Sequence, residues 1–167
     1  EILRKIKKTQ TTDECIQAMR NLQKHGIEAH AFIMIGFPSE TEETFKQTMD
    51  FIPKLKPDSV IFSIFTPYPG SDLYYECKDE GIIDGEFNLA LYNHQSPLNC
   101  FTKNIPKERF YKLRKKAVKF IDNYNKKAKL RRVVRSLRNI GIKATWKKIY
   151  SHFYSKIVKY NNAQLKH

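Results

Sequence analysis

An α/β fold with parallel strands, running into a basic α-helical extension, is what this sequence predicts. Three observations lead there. Two short and almost uninterrupted apolar runs, Ala29–Ile35 and Ser59–Phe65, alternate with amphipathic stretches through short connections. Their continuity suits strands buried on both faces, as in a parallel sheet. Beyond residue 105 the apolar spacing changes to threes and fours, and the charge turns strongly positive.

The first helix should begin at Thr11, because Thr11 and Glu14 have the spacing of a reciprocal capping box. Ile16, Met19 and Leu22 share one helical face, and Gly26 supplies the left-handed stop. The first strand then runs into Gly36-Phe37-Pro38. Ser39 with Glu42 is expected to cap a second helix, whose Phe45, Met49 and Ile52 face inward, with Pro53 and Pro57 ending it. The second strand stops at Thr66-Pro67-Tyr68-Pro69-Gly70, and a short helix follows from about Ser71 to Gly81. Helix and strand alternating in this way imply right-handed βα units and parallel pairing. Two strands do not make a stable sheet alone, so this half should be the edge of a larger one.

Residues 82–105 lack a clear period. From Pro106, Phe110, Leu113, Ala117, Phe120, Ile121 and Tyr124 mark a helix. A short basic helix should follow (Leu130, Val133, Val134, Leu137), halted near Gly141. A last one carries Trp146, Ile149, Tyr150, Phe153 and Ile157 opposite Lys143, Lys147, Lys148 and Lys156. The division read from this is 1–81, 82–105 and 106–167.

Charge supports that division. Residues 1–100 hold 10 Lys and Arg against 15 Asp and Glu, whereas residues 101–167 hold 21 against 2, together giving the net +14 of the 167-residue chain. Aromatics at 13% and hydrophobic residues at 41% exclude global disorder. No apolar stretch reaches the roughly 18 residues of a membrane span. The start, Glu1-Ile2-Leu3-Arg4-Lys5, has no initiator Met or apolar signal core and reads as part of something longer. Cys15, Cys77 and Cys100 are scattered and odd in number, which suits a reducing cytoplasm and neither a disulfide framework nor a metal site.

In parallel sheets ligands bind at the carboxyl ends of the strands, where loops converge and helix N-termini point inward. The loops Gly36–Thr41 and Thr66–Ser71 leave from such ends. Both can equally be turn chemistry. The cluster Glu40, Glu42 and Glu43 is read as answering the macrodipole at a helix start. His25, His30, His94, His152 and His167 are too dispersed for a metal site, and only His30 lies near the sheet.

The run Phe32-Ile33-Met34-Ile35-Gly36-Phe37-Pro38-Ser39-Glu40-Thr41-Glu42-Glu43-Thr44-Phe45 resembles the fifth-strand segment of radical S-adenosylmethionine (radical SAM) enzymes. Lys56-Pro57-Asp58 and Phe62-Ser63-Ile64-Phe65-Thr66-Pro67-Tyr68-Pro69-Gly70-Ser71-Asp72-Leu73-Tyr74 are similar to the sixth strand and its loop. Ser39 departs from the pattern, since most relatives have Gly there. The match is best with members carrying an N-terminal cobalamin-binding domain, which often end in a segment like Pro97-Leu98-Asn99, a helix like 107–124 and a basic stretch. It covers roughly residues 1–130.

The resemblance implies the C-terminal fragment of a partial (β/α)6 TIM-type barrel. It implies S-adenosylmethionine and a 4Fe–4S cluster held by a three-cysteine motif that this chain lacks, radical chemistry in the whole protein, and no turnover by this piece alone. Cobalamin-dependent methyl transfer is one outcome it allows. Met34 and Gly36, with Phe32 on the same face of the strand, would line the adenine. Ser63 and Phe65 share a face whose direction stays open. Thr66 and Tyr68 would stand on the substrate side. Against this, Phe32 and Met34 also suit plain core packing, and Tyr68 a turn aromatic.

The basic tail has three readings: a solvated face over a helix packed on the barrel, an amphipathic surface for an anionic membrane, and, least favoured, a nucleic-acid contact. A small or lipid-like substrate and a cytoplasmic protein, membrane-associated if the second reading holds, complete the expectation. The competing non-enzyme reading is a basic helical binding module on a degenerate barrel edge.

Overall fold

A computed structural model describes residues 7–83, 93, 96 and 98–164, with side chains after Leu137 described only at 141, 142, 144, 146 and 150. Expectations for the stretch 84–92, for His94, Pro97 and His167, and for the side chains of Lys143, Lys147, Lys148, Ile149, His152, Phe153, Lys156 and Ile157 fall outside the described residues.

The order is α1 (Thr12–Lys24), β1 (His30–Ile35), α2 (Glu42–Leu55), β2 (Ser59–Ile64), α3 (Asp72–Asp79) and α4 (Lys107–Gln164). The Thr11 hydroxyl accepts from the Glu14 N–H at 3.2 Å while the Glu14 carboxylate accepts from the Thr11 N–H at 2.7 Å, the expected box. The strands pair in parallel, with His30 opposite Ser59 and Ile35 opposite Ile64. They form a two-stranded parallel sheet with helices, an α/β arrangement.

Helices cover one face of this sheet. Ile35 and Ile64 pack with Phe45 of α2 and with Phe110, Leu113 and Ala117 of α4. Further along, Val60 meets Ile52, Ile121, Tyr124 and Ala128. Met19 of α1 closes on Ala29, Ala31 and Leu55. The first part of the basic helix is therefore a layer of the same core, its apolar stripe spaced by threes and fours as a one-sided helix requires.

α4 also ends the sheet. The Asn125 amide bonds both polar groups of Val60, its Oδ1 accepting from the N–H at 2.8 Å and its Nδ2 donating to the C=O at 3.0 Å. Val60 thus points away from β1, and the side-chain amide takes the place of a neighbouring strand at an edge that would otherwise invite pairing. At the amino end of the strands, the Tyr124 hydroxyl donates to Pro57 C=O at 2.9 Å, and buried Asp58 accepts from Ala29 N–H at 2.9 Å and pairs with Arg135 at 2.8 Å.

Three expectations are corrected. α2 is capped by Thr41 with Thr44, not by Ser39 with Glu42. Ser39 lies inside a turn closed by Glu40 N–H on Phe37 C=O at 2.9 Å, and this delays the helix by two residues. Pro53 does not end α2 but sits inside it. The helix runs to Leu55 and stops at Lys56, whose φ of 53° breaks the spiral. The break expected between Tyr124 and Leu130 is absent, because Asn125 and the buried Ala128 hold that turn helical against β2. The expected halt at Gly141 is present as a kink (φ 77°, ψ 171°).

Candidate cofactor and substrate site at the strand ends

Among the described residues, the face of the sheet opposite the helices is bare. Alternation sends Ala31, Ile33 and Ile35 toward the helices and His30, Phe32 and Met34 the other way. Phe32 is 78% exposed, Met34 43% and Ile61 43%, large apolar side chains side by side across the pair. Ser63 stands opposite Met34 in register, and His30 Nδ1 lies 2.6 Å from Ser59 Oγ at the near end. In a parallel ladder these residues of β1 also direct their backbone N–H and C=O away from β2. One face and one edge are thus open together among the described residues.

At the carboxyl ends the loops are tightly held. Gly36 takes φ +88°, and a Cβ there would lie 2.9 Å from Phe110 Cζ and 3.2 Å from Ile64 Cγ2, so glycine is required by both backbone and space. Its N–H donates to Glu40 Oε2 at 2.5 Å. Glu40 is 1% exposed. Burial pushes its carboxyl up to about 7, only partly opposed by the Gly36 N–H. The second loop is set by aromatics: Phe65 stacks at 5.1 Å on Phe37 and meets Phe101 edge-on at 6.1 Å. Thr66 Oγ1 accepts from Asn99 Nδ2 at 2.8 Å, and Asn99, fully buried, keeps an Oδ1 with no partner among the described residues.

The structure brings Phe32, Met34 and Ser63 to the open face. Gly36 and Phe65 lie behind it, buried under Phe110 and between Phe37 and Phe101, and Thr66 is buried on Asn99. Tyr68 is exposed on its turn, where its C=O accepts from Ser71. Sequence reasoning missed Glu40, Asn99 and Ile61. Glu42 and Glu43 do stand in the first turn of α2, Glu42 clamped by Arg109 at 2.8 and 2.5 Å, whereas Glu40 belongs to the loop before it. Nothing in three neighbouring acids marks which one will be buried. Alternation along β2 puts Ile61 on the same face as Ser63, a signal that could have found it.

Metal ligation is a different matter. No group of three or more His, Cys, Asp or Glu side chains converges among the described residues. Cys77 is fully buried, and burial, helped by Glu76 and Glu80, pushes its thiol up to about 11, the opposite of what a thiolate ligand needs. These residues do not fit an iron–sulfur cluster.

Residues 1–52 match the family model of the radical SAM superfamily. They are a radical SAM segment. The chain is 41% identical over 73 residues to an uncharacterized methyltransferase of Pyrococcus horikoshii, covering 44% of this chain and 16% of that protein. It is 37% identical over 59 residues to a bacteriochlorophyllide d C-12(1)-methyltransferase of Chlorobaculum tepidum, 35% of this chain and 13% of the relative. A probable threonylcarbamoyladenosine tRNA methylthiotransferase of Pyrococcus horikoshii is 33% identical over 73 residues, 42% and 17% respectively. The chain thus spans less than a fifth of the length of these curated relatives. No helix among the described residues is long and apolar enough to cross a membrane.

Proposed function

We propose that this chain is the closing edge of a partial (β/α)6 radical SAM barrel. In this reading the whole protein cleaves S-adenosylmethionine at a 4Fe–4S cluster and transfers a methyl or related group to a small or lipid-like substrate. The bare apolar face at Phe32, Met34 and Ile61, on an open parallel pair beside its carboxyl-end loops, carries the reading. A solvent-facing strand face would be polar. The names of the relatives favour methyl and methylthio transfer, and cobalamin use belongs to the same proposal.

Bound S-adenosylmethionine would supply the radical chemistry, reduced by a cluster whose ligands lie elsewhere in the polypeptide. The residues here bind and exclude water. Phe32 and Met34 offer ring and thioether surface to the adenine, and Ser63 adds a hydroxyl on the same face. Gly36, pinned by Glu40 under Phe110, and Thr66, held by Asn99, fix the two loops from behind, while the exposed Tyr68 stands toward the substrate.

The test is anaerobic reconstitution of the complete polypeptide with iron and sulfide, followed by measurement of reductive S-adenosylmethionine cleavage. The complete protein should cleave it and the 167-residue chain should not. Met34→Asp should weaken S-adenosylmethionine binding about tenfold or more, since an unpaired carboxylate beside a desolvated ring costs at least 1.4 kcal/mol, roughly a factor of ten. A complete protein that binds no cluster and cleaves nothing would leave the competing reading, a non-catalytic basic module.

A further inference from the structure

The far side of α4 is the largest feature that the barrel reading leaves unused. With about 3.6 residues per turn, the buried stripe Ala117, Ile121, Tyr124 and Ala128 faces the sheet. The opposite side carries Leu130, Val134 and Leu137, exposed at 67%, 42% and 36%. Past the Gly141 kink the exposure continues at Ile142 (67%), Trp146 (65%) and Tyr150 (73%), each one turn after the last. On the same outer side, Lys112, Lys115, Lys116, Lys119, Lys126 and Lys127 are exposed.

The arginines are placed differently. Arg131 donates to the Tyr124 hydroxyl, Arg132 pairs with Glu28, and Arg135 with Asp58. They anchor the helix to the body and leave the lysine side and the apolar stripe facing outward.

We infer that this outer surface of α4 docks on an anionic lipid bilayer, lying in the headgroup plane with Leu130, Val134 and Leu137 at the acyl boundary. Charge complementarity selects the occupant. Residues 101–167 hold 21 Lys and Arg against 2 Asp and Glu, so a second copy of the same helix would be repelled. A nucleic acid would match the cations but leave the exposed Leu, Val and Ile stripe in water. An anionic membrane satisfies both, the lysines of the earlier turns reaching the phosphates while Leu130, Val134 and Leu137, further along the same side, enter the headgroup layer. Since no described helix can span a bilayer, the geometry is one of lying on the surface.

Trp146, the chain's single tryptophan, is exposed on the same helix past the Gly141 kink and reports when α4 meets lipid. The 167-residue chain would be floated on a density gradient with phosphatidylcholine vesicles, with and without about 30% phosphatidylglycerol, anionic lipid being what attracts basic segments. Flotation with the anionic vesicles only, together with a blue shift of Trp146 emission, is the expected result. In about 1 M salt, where the Debye length falls to about 3 Å, flotation should drop at least tenfold.

Leu130→Asp with Leu137→Asp should abolish flotation and the blue shift while helicity by circular dichroism stays unchanged, because both are exposed on the side of α4 away from the sheet. If that pair lowers helicity, Lys126→Gln with Lys127→Gln serves instead and should weaken flotation. Equal binding to neutral vesicles would overturn the inference, as would no flotation at all, retention of RNA without vesicle binding, or self-association that shifts Trp146 emission without lipid.

Discussion

Raising the pH should weaken this fold through one carboxyl group, Glu40. The group is buried, and its proton affinity rises from the ordinary 4.5 to about 7 because desolvation disfavours the carboxylate. Below about pH 4.5 the group is protonated in both folded and unfolded chains, and it costs nothing. Between 4.5 and 7 the unfolded chain releases the proton while the folded one keeps it, so stability falls as pH rises. Above 7 both release it and the loss levels off. At about 1.4 kcal/mol per pH unit across that window, the loss reaches at most about 3.5 kcal/mol. Urea unfolding followed by circular dichroism from pH 4 to 9 reads this directly. Glu40→Gln keeps an acceptor for the Gly36 N–H and cannot ionise. Its stability relative to the parent chain should improve steadily between pH 4.5 and 7 and then stay constant. A difference that is flat with pH would refute the assignment of a buried, neutral Glu40, because every other titrating group is common to both chains.

Other perturbations separate the remaining claims. Gly36→Ala should cost about 2–4 kcal/mol, combining a left-handed backbone with overpacking against Phe110, and thermal unfolding should show it. A loss under about 1 kcal/mol would mean that the loop does not sit on that ring. Asn125→Ala frees both polar groups of Val60 and should cost about 2 kcal/mol in chemical unfolding. It should also raise self-association in sedimentation velocity, since the β2 edge becomes available. Arg109→Ala, by contrast, removes an exposed ion pair with Glu42 and should leave the unfolding midpoint almost unmoved at high salt.

Local order was legible in the residues themselves. Unbroken apolar runs marked both strands, and hydroxyl–acid spacing marked the start of α1. The glycine stops at Gly26 and Gly141 followed from the backbone freedom of that residue, and the parallel α/β pairing from short alternating elements. All but the pairing rest on interactions within a few residues of chain, which is why they could be read without a partner; the pairing joins residues such as His30 and Ser59 and was read only from the order of the elements.

Tertiary contacts decided the rest. β1 is apolar on both faces, so a period of two could not say whether Ala31, Ile33 and Ile35 or Phe32 and Met34 would be covered. The packing of Phe110 and Leu113 against Ile35 settled it. Ser39 was expected to cap α2, but Thr41 does so because the Phe37–Glu40 turn consumed the earlier position. That turn also buried one of three similar acids. Asn125 became a substitute strand edge only because α4 runs across Val60, some sixty-five residues away in sequence. Burial and edge pairing are properties of surfaces brought together from distant segments, and no spacing within one segment records them.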